Sequence, residues 1–270
     1  MSLANCSETN EGSPAGSAVA RLPKFLQPSA AGQLVRLGRG HDGGYVLEQS
    51  SVSDADALVG LGLNDDWSFE EDFTARNDVP VYAFDPTISR KIFTKRAIKS
   101  LAYVHRPGQI AHSFKVLNSY NSFFKGRRVH EKKYVGGMTV EDIISFRDIF
   151  SDIVGRDFQR VFLKMDIEGA EYRVLDQILE VSDRLSGMVA EFHDIDLHMD
   201  RIEAFVKALP LRLCHVHCNN YNHLLEDGSP TAIECSFTRH ERTGPITWSL
   251  PHSLDQACRA DHPDYRIEFD

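Results

Sequence analysis

The residues best suited to chemistry stand in one short run, Val161-Phe162-Leu163-Lys164-Met165-Asp166-Ile167-Glu168-Gly169-Ala170-Glu171. A mostly apolar stretch stops at two carboxylates, Asp166 and Glu168, and a glycine follows. Such a run reads as a buried strand feeding a helix, which is half of a βαβ unit. Ligands of open α/β sheets sit outside the carboxyl ends of the strands. Asp166 and Glu168 are therefore expected at the edge where acids hold a cation or move a proton.

Other polar groups close neighbouring apolar runs. Glu191 and His193 end Met188–Phe192, and His215, His217, Asn219 and Asn220 lie in and after Leu211–His217. Side chains alternate along a strand, so residues two apart share a face. Adjacent strands are roughly 4.8 Å apart, close enough for these groups to converge. Mixed carboxylate and imidazole donors suit Mg²⁺, Mn²⁺ or Fe²⁺ better than a structural zinc site. The candidate metal ligands are Asp166, Glu191 and His217, and a cation there would acidify a substrate hydroxyl. The candidate catalytic residues are His193, as a base with an ordinary pKa near neutrality, together with Asp166 and Glu191. A plainer reading has Glu168 and Glu171 capping the next helix and His215 as a core histidine. Cys214, His215, His217 and Cys218 crowd one strand and point to both faces, so they cannot surround one zinc ion. No Gly-x-Ser-x-Gly elbow is present, which argues against a nucleophilic serine.

An earlier strand, Ala57–Gly62, runs into Gly60-Leu61-Gly62-Leu63-Asn64-Asp65-Asp66. Glycines at a strand end let a ligand approach the backbone, but the third glycine of a pyrophosphate loop is missing. Asp85 closes the next strand, Val79–Phe84. An acid about 20 residues past such a turn is placed to grip a ribose diol; the alternative is a turn cap before Pro86. Adenosine without pyrophosphate points to S-adenosylmethionine, whose cationic groups tolerate the nearby acids. The candidate cofactor residues are Gly60, Gly62, Asn64, Asp85 and Asp166.

These groups need an alternating scaffold. Gln33–Leu37 and Tyr45–Leu47 flank Asp42-Gly43-Gly44, a hairpin signal. Ser68–Arg76 reads as a helix with Ser68 as N-cap and Glu71 completing a capping box. Leu101–Val104 is a weak third strand, and Thr139–Ile144 opens a helix. Helices are expected over about 170–179 and 195–209. Ala232–Thr238 arrives without a preceding helix, so it is expected to run antiparallel in an otherwise parallel sheet. Residues 1–20 read as a disordered tail, and residues 21–270 as one α/β domain.

Composition narrows the function. The 270-residue chain has a net charge of −9, so a polyanionic partner held by charge is not expected. Its densest basic stretch, Lys125–Lys133, reads as a solvated loop. No apolar run approaches the roughly 20 residues of a bilayer span, and no signal peptide is expected. Five cysteines without framework spacing fit reduced thiols in the cytoplasm.

Leu163-Lys164-Met165-Asp166-Ile167-Glu168-Gly169-Ala170-Glu171 resembles the Lys-x-Asp-x-Glu-Gly-x-Glu signature of FkbM-type S-adenosylmethionine-dependent methyltransferases. Asp42-Gly43-Gly44-Tyr45-Val46, Ser68-Phe69-Glu70 and Phe84-Asp85-Pro86 resemble a methyltransferase-like subgroup with an added hairpin. The resemblance spans about residues 34–240. It implies a class I methyltransferase Rossmann-like fold, with a seven-stranded, mostly parallel sheet ordered 3-2-1-4-5-7-6 and helices on both faces. It implies methyl transfer to a hydroxyl of a sugar or other small-molecule acceptor, with Gly60, Gly62 and Asp85 on the cofactor. Asp166 falls where metal-dependent relatives carry an acid, and Glu191 or His193 falls at the next strand end. Asn64 stands where the usual loop has its third glycine. A small-molecule acceptor, no nucleic acid, no membrane insertion and Mg²⁺ or Mn²⁺ are the expectations carried forward. A metal-dependent hydrolase and a non-catalytic cofactor-binding module are the alternatives; the hairpin is either a lid or structural.

Overall fold

The computed structural model describes residues 18–29, 32–154, 158–221, 223–240 and 249–270. The tail expected over 1–20 lies outside them up to residue 17. In chain order the elements are β1 (Val19–Leu22), β2 (Leu34–Gly38), β3 (Gly44–Glu48), α1 (Gln49–Ser53), β4 (Ala57–Leu61), α2 (Ser68–Arg76), β5 (Val81–Phe84), α3 (Arg90–Ser100) and α4 (Pro107–Phe123). Then come β6 (Arg128–Glu131), β7 (Tyr134–Gly136), β8 (Ile143–Ser145), α5 (Phe146–Val154), β9 (Val161–Met165), α6 (Leu175–Val181), β10 (Leu185–Phe192), α7 (Ile195–Ala208), β11 (Arg212–Cys218), β12 (Ile233–Thr238) and β13 (Arg266–Phe269).

Seven strands form the central sheet in the order β11-β12-β10-β9-β4-β5-β6. Strand β12 is antiparallel to both neighbours, β10 and β11, while β10-β9, β9-β4, β4-β5 and β5-β6 are parallel. Counted along the sheet, this is the expected 3-2-1-4-5-7-6 order with the last-numbered strand reversed. The inner strands β4 and β9 are buried at every position, which is why both read as continuous apolar runs.

The two faces are covered differently. Phe146, Phe150, Ile178 and Phe205 of α5, α6 and α7 pack with Leu61, Leu163, Met165 and Ala190 on one face. Phe69, Phe73, Phe93 and Tyr120 of α2, α3 and α4 join the β2–β3 hairpin on the other, against Leu58, Ala83, Phe162 and Val189. Register puts Gly60, Lys164, Glu191, Glu234 and His217 on this second face, in adjoining strands.

Several expected elements differ. The third strand is β6, not Leu101–Val104, which lies in turns with Val104 79% exposed. As an edge strand, β6 needs no apolar run, and its sequence Arg-Val-His-Glu is accordingly polar. The stretch 139–144 is not helical: Ile143 and Ile144 pair with Tyr134 and Val135, as β-branched residues favour. Helix α5 starts at Phe146, where Asp148 N donates to Ser145 Oγ. The N-cap of α2 is Trp67, not Ser68. The Ser68 hydroxyl instead accepts from Arg39 N of the hairpin turn at 2.8 Å. The β2–β3 hairpin and α7 lie where they were expected.

Candidate functional site

The carboxyl ends of β4, β5, β9 and β10 are neighbours at one sheet edge, and each carries expected site residues. The turn after β4 is held together by the protein itself. Asp85 Oδ2 accepts from Leu63 N and Asn64 N, both at 2.8 Å. Its other oxygen accepts from Thr87 N at 2.6 Å and the Thr87 hydroxyl at 2.5 Å. Burial pushes the Asp85 carboxyl up, but these four donors outweigh it and hold the pKa below the ordinary value. Asp85 thus acts here as the clasp of the glycine turn, and a ribose would have to compete with Thr87 for it. Asn64 takes the left-handed conformation, with φ 51°.

The glycines answer to the protein interior as well. Gly62 has φ +84°, and a Cβ on it would lie 1.7 Å from the Asp166 carbonyl oxygen. The ends of β4 and β9 touch here, and only glycine fits. A Cβ on Gly60 would stand 2.9 Å from Glu70 Oε1. Glu70 is fully buried, and neither oxygen has a hydrogen-bond partner among the described residues. Lys164 Nζ lies 3.9 Å from it and donates to Gly62 O at 2.9 Å. Burial raises the Glu70 pKa despite the ammonium.

Asp166, Glu191 and His193 come together at the ends of β9 and β10, with one donor atom from each within 4.8 Å of the others. The Tyr45 hydroxyl donates to Asp166 Oδ2 at 3.2 Å, and Asn219 Nδ2 donates to Glu191 Oε1 at 2.7 Å. Burial raises the Asp166 pKa, and raises that of Glu191 well above the carboxylate range, helped there by Asp166 and Glu234.

His193 differs from the expected neutral base. Its Nδ1 lies 3.1 Å from Glu171 Oε1, while Nε2 faces Glu168 at 3.6 Å and Glu191 at 3.7 Å. Burial lowers its pKa, but the Glu171 bond and the surrounding carboxylates raise it to about 9. At neutral pH the ring is an imidazolium and a donor. Glu171 is the residue that the sequence reading undervalued. Fully buried, it accepts from Ile167 N and Gly169 N at 3.1 and 3.2 Å and orients His193. Its place in the repeated acid spacing after β9 was the available signal.

The expected metal set divides. Asp166 and Glu191 group with His193, whereas His217 groups with Glu234 and Cys258. Glu234 of β12 stands between Glu191 and His217 in the sheet, so a single ion is not shared as first drawn. Two carboxylates and one imidazole at the sheet edge suit a hard divalent cation by donor type. The segment 105–137 is mostly helix α4 and strand β6. Beside it, Arg90, Tyr120, Phe124, Arg128 and His130 line an open recess of about 700 Å³. Among the described residues no helix is long and apolar enough to cross a membrane.

No protein-family model matches the chain, and no curated protein matches it. Among solved structures, a fibrillarin/Nop5p complex is similar at 10% identity over 69% of this chain and 73% of that one, with a TM-score of 0.36. An rRNA methylase from Streptococcus thermophilus is similar at 11% identity over 70% of this chain and 92% of that one, with a TM-score of 0.35. Likeness this loose carries no argument about activity, and the fold stands on strand order and register. Those two structures nevertheless belong to an rRNA methylase and a two-protein complex, so the expectation of a small-molecule acceptor without nucleic acid is corrected and goes no further.

Proposed function

We propose that the chain is an S-adenosylmethionine-dependent methyltransferase of FkbM type, a single domain over residues 21–270, acting on a hydroxyl oxygen in the cytoplasm. The observation that carries this reading is the strand order: the glycine turn, Asp85 and the Asp166–Glu191–His193 group all end neighbouring strands at one sheet edge. That edge is where doubly wound folds bind ligands.

In this reading the Gly60–Asn64 turn that Asp85 clasps would hold the adenosyl group. When bound there, the cofactor would supply the methyl group to the acceptor oxygen, its carbon–sulfur bond breaking with the electron pair left on sulfur. The hydroxyl proton passes to a carboxylate. Asp166 serves better than His193, because its raised pKa makes it a stronger base than an ordinary carboxylate, while His193 is already protonated. His193 and Asn219 hold Glu191 in place beside it. A divalent cation, if bound, would be held by Asp166, Glu191 and a His193 ring that has released its Nε2 proton, and would supply acidification of the hydroxyl. Most of the acceleration comes from holding the two reactants in line.

The test is methyl transfer from labelled S-adenosylmethionine into cell extract separated into RNA, protein and remaining fractions. Wild type is expected to label one fraction, and Asp166→Asn to slow labelling by about 10²–10⁴-fold. Equal labelling by both proteins would remove Asp166 from the reaction.

A further inference from the structure

A second cluster of donors lies beside the edge site, on the same face of the sheet and toward its β11 margin. His217 of β11, Glu234 of β12 and Cys258 of the C-terminal segment are each buried, with 2%, 5% and 3% exposure. His217 Nδ1 lies 3.1 Å from Glu234 Oε2. The Cys258 sulfur lies 3.9 Å from that nitrogen and 3.5 Å from Glu234 Oε1. Zinc bonds of about 2.0–2.3 Å in tetrahedral geometry separate such donors by roughly 3.4–3.6 Å. The observed separations, two of them to different oxygens of the Glu234 carboxylate, bracket that spacing, so small shifts bring one donor atom from each residue to three corners of a zinc tetrahedron, with one corner left over.

The other side of the ring adds an independent observation. His217 Nε2 lies 3.0 Å from Asp264 Oδ2 and 3.1 Å from Oδ1. A proton on Nε2 donated to Asp264 leaves the Nδ1 lone pair directed at Glu234 and Cys258. A carboxylate behind a ligating histidine is the usual outer partner of a metal site. Charge points the same way. The buried Glu234 and the part-exposed Asp264 flank one imidazole, so an imidazolium ring leaves one negative charge over beside it.

We propose that His217 Nδ1, Glu234 and Cys258 form a zinc site that fastens the C-terminal segment to the β11–β12 edge. The soft sulfur selects zinc over the hard cations suited to the Asp166 group. The segment it fastens also carries Asp255, which meets His215 Nε2 at 3.1 Å. It reaches the hairpin, where His41 N donates to Gln256 Oε1 at 3.0 Å. The site is thus separate from the methyl-transfer reading and is tested without it.

The experiment is metal analysis of the full chain after zinc loading and gel filtration, with cobalt substitution as a second readout. About one equivalent of zinc is expected in wild type and in His193→Asn, and a loss of most of it in Cys258→Ser and Glu234→Gln. Asp264→Asn is expected to weaken zinc affinity by about 10–100-fold while sparing the ligands. Cobalt in wild type is expected to give a thiolate charge-transfer band that Cys258→Ser abolishes. Wild type that holds no zinc and gives no such band would overturn the site, leaving an imidazolium between two carboxylates. Zinc retained in full by Cys258→Ser would overturn it too.

Discussion

The hydroxyl of Tyr45 donates to Asp166 across 3.2 Å, tying the Asp-Gly-Gly-Tyr hairpin to the end of β9. Tyr45 is 2% exposed, and its ring faces Lys164 Nζ at 5.8 Å. Burial, and then the charge of Asp166, raise its pKa well above the ordinary phenol value, so it stays a donor. The hairpin is thereby part of the wall behind the proposed base. Tyr45→Phe keeps the ring and removes the bond. It is expected to cost about 0.5–1.5 kcal/mol in denaturant unfolding and to slow methyl transfer. An unchanged rate would make the bond purely structural.

Gly62→Ala is expected to cost more than about 3 kcal/mol or to prevent folding. The new Cβ would meet the Asp166 carbonyl at 1.7 Å, and the backbone there has φ +84°. Gly126→Ala is the control: its φ is +64°, but nothing lies within 4 Å of the added carbon. That substitution is expected to cost roughly 1–2 kcal/mol. Thermal unfolding of the two variants separates contact from conformation, and equal losses would contradict the close approach of β4 and β9.

Asp85→Ala leaves the backbone donors of Leu63 and Asn64 unmet and is expected to cost about 2–4 kcal/mol. Because the folded pKa of Asp85 is lowered, its contribution is present above the unfolded value of about 3.9. It is lost as pH falls through the lower folded value. Wild type should therefore lose its advantage over Asp85→Ala only at strongly acid pH. An advantage that vanishes already near pH 6 would contradict the clasp.

His193 titrates in the opposite sense. Its folded pKa of about 9 lies above the unfolded value of about 6.5, so its stabilisation is full below the unfolded value. That stabilisation is lost as pH rises through the folded one. In chelator-treated protein, His193→Gln is expected to be less stable than wild type at pH 6 and equal to it by about pH 10. A difference that grows with pH would mean that the ring is neutral in the folded chain.

The sheet was legible in the sequence because its inner strands are buried on both faces, as Val161–Met165 and Ala57–Leu61 are. Edge elements were not: Arg128–Glu131 carries its strand in backbone pairing, with alternate side chains exposed. Acids at strand ends could be listed from spacing, but their partners could not. The turn cap before Pro86 was local enough to be read, and the two Thr87 bonds are that cap, but nothing local says that the other Asp85 oxygen serves Leu63 and Asn64. Nor could spacing assign His217 to Cys258, which lies 41 residues further along the chain. These pairings are set by how loops return over the sheet, which periodicity does not encode.

Titration calorimetry of the full chain with S-adenosylmethionine decides whether the β4–β5–β9–β10 edge binds that cofactor. Saturable heat is expected in wild type, with a clear weakening in Asp85→Ala, which loosens the turn. No heat with wild type at millimolar cofactor would contradict cofactor binding at that edge, whatever the metal analysis of the His217 cluster returns.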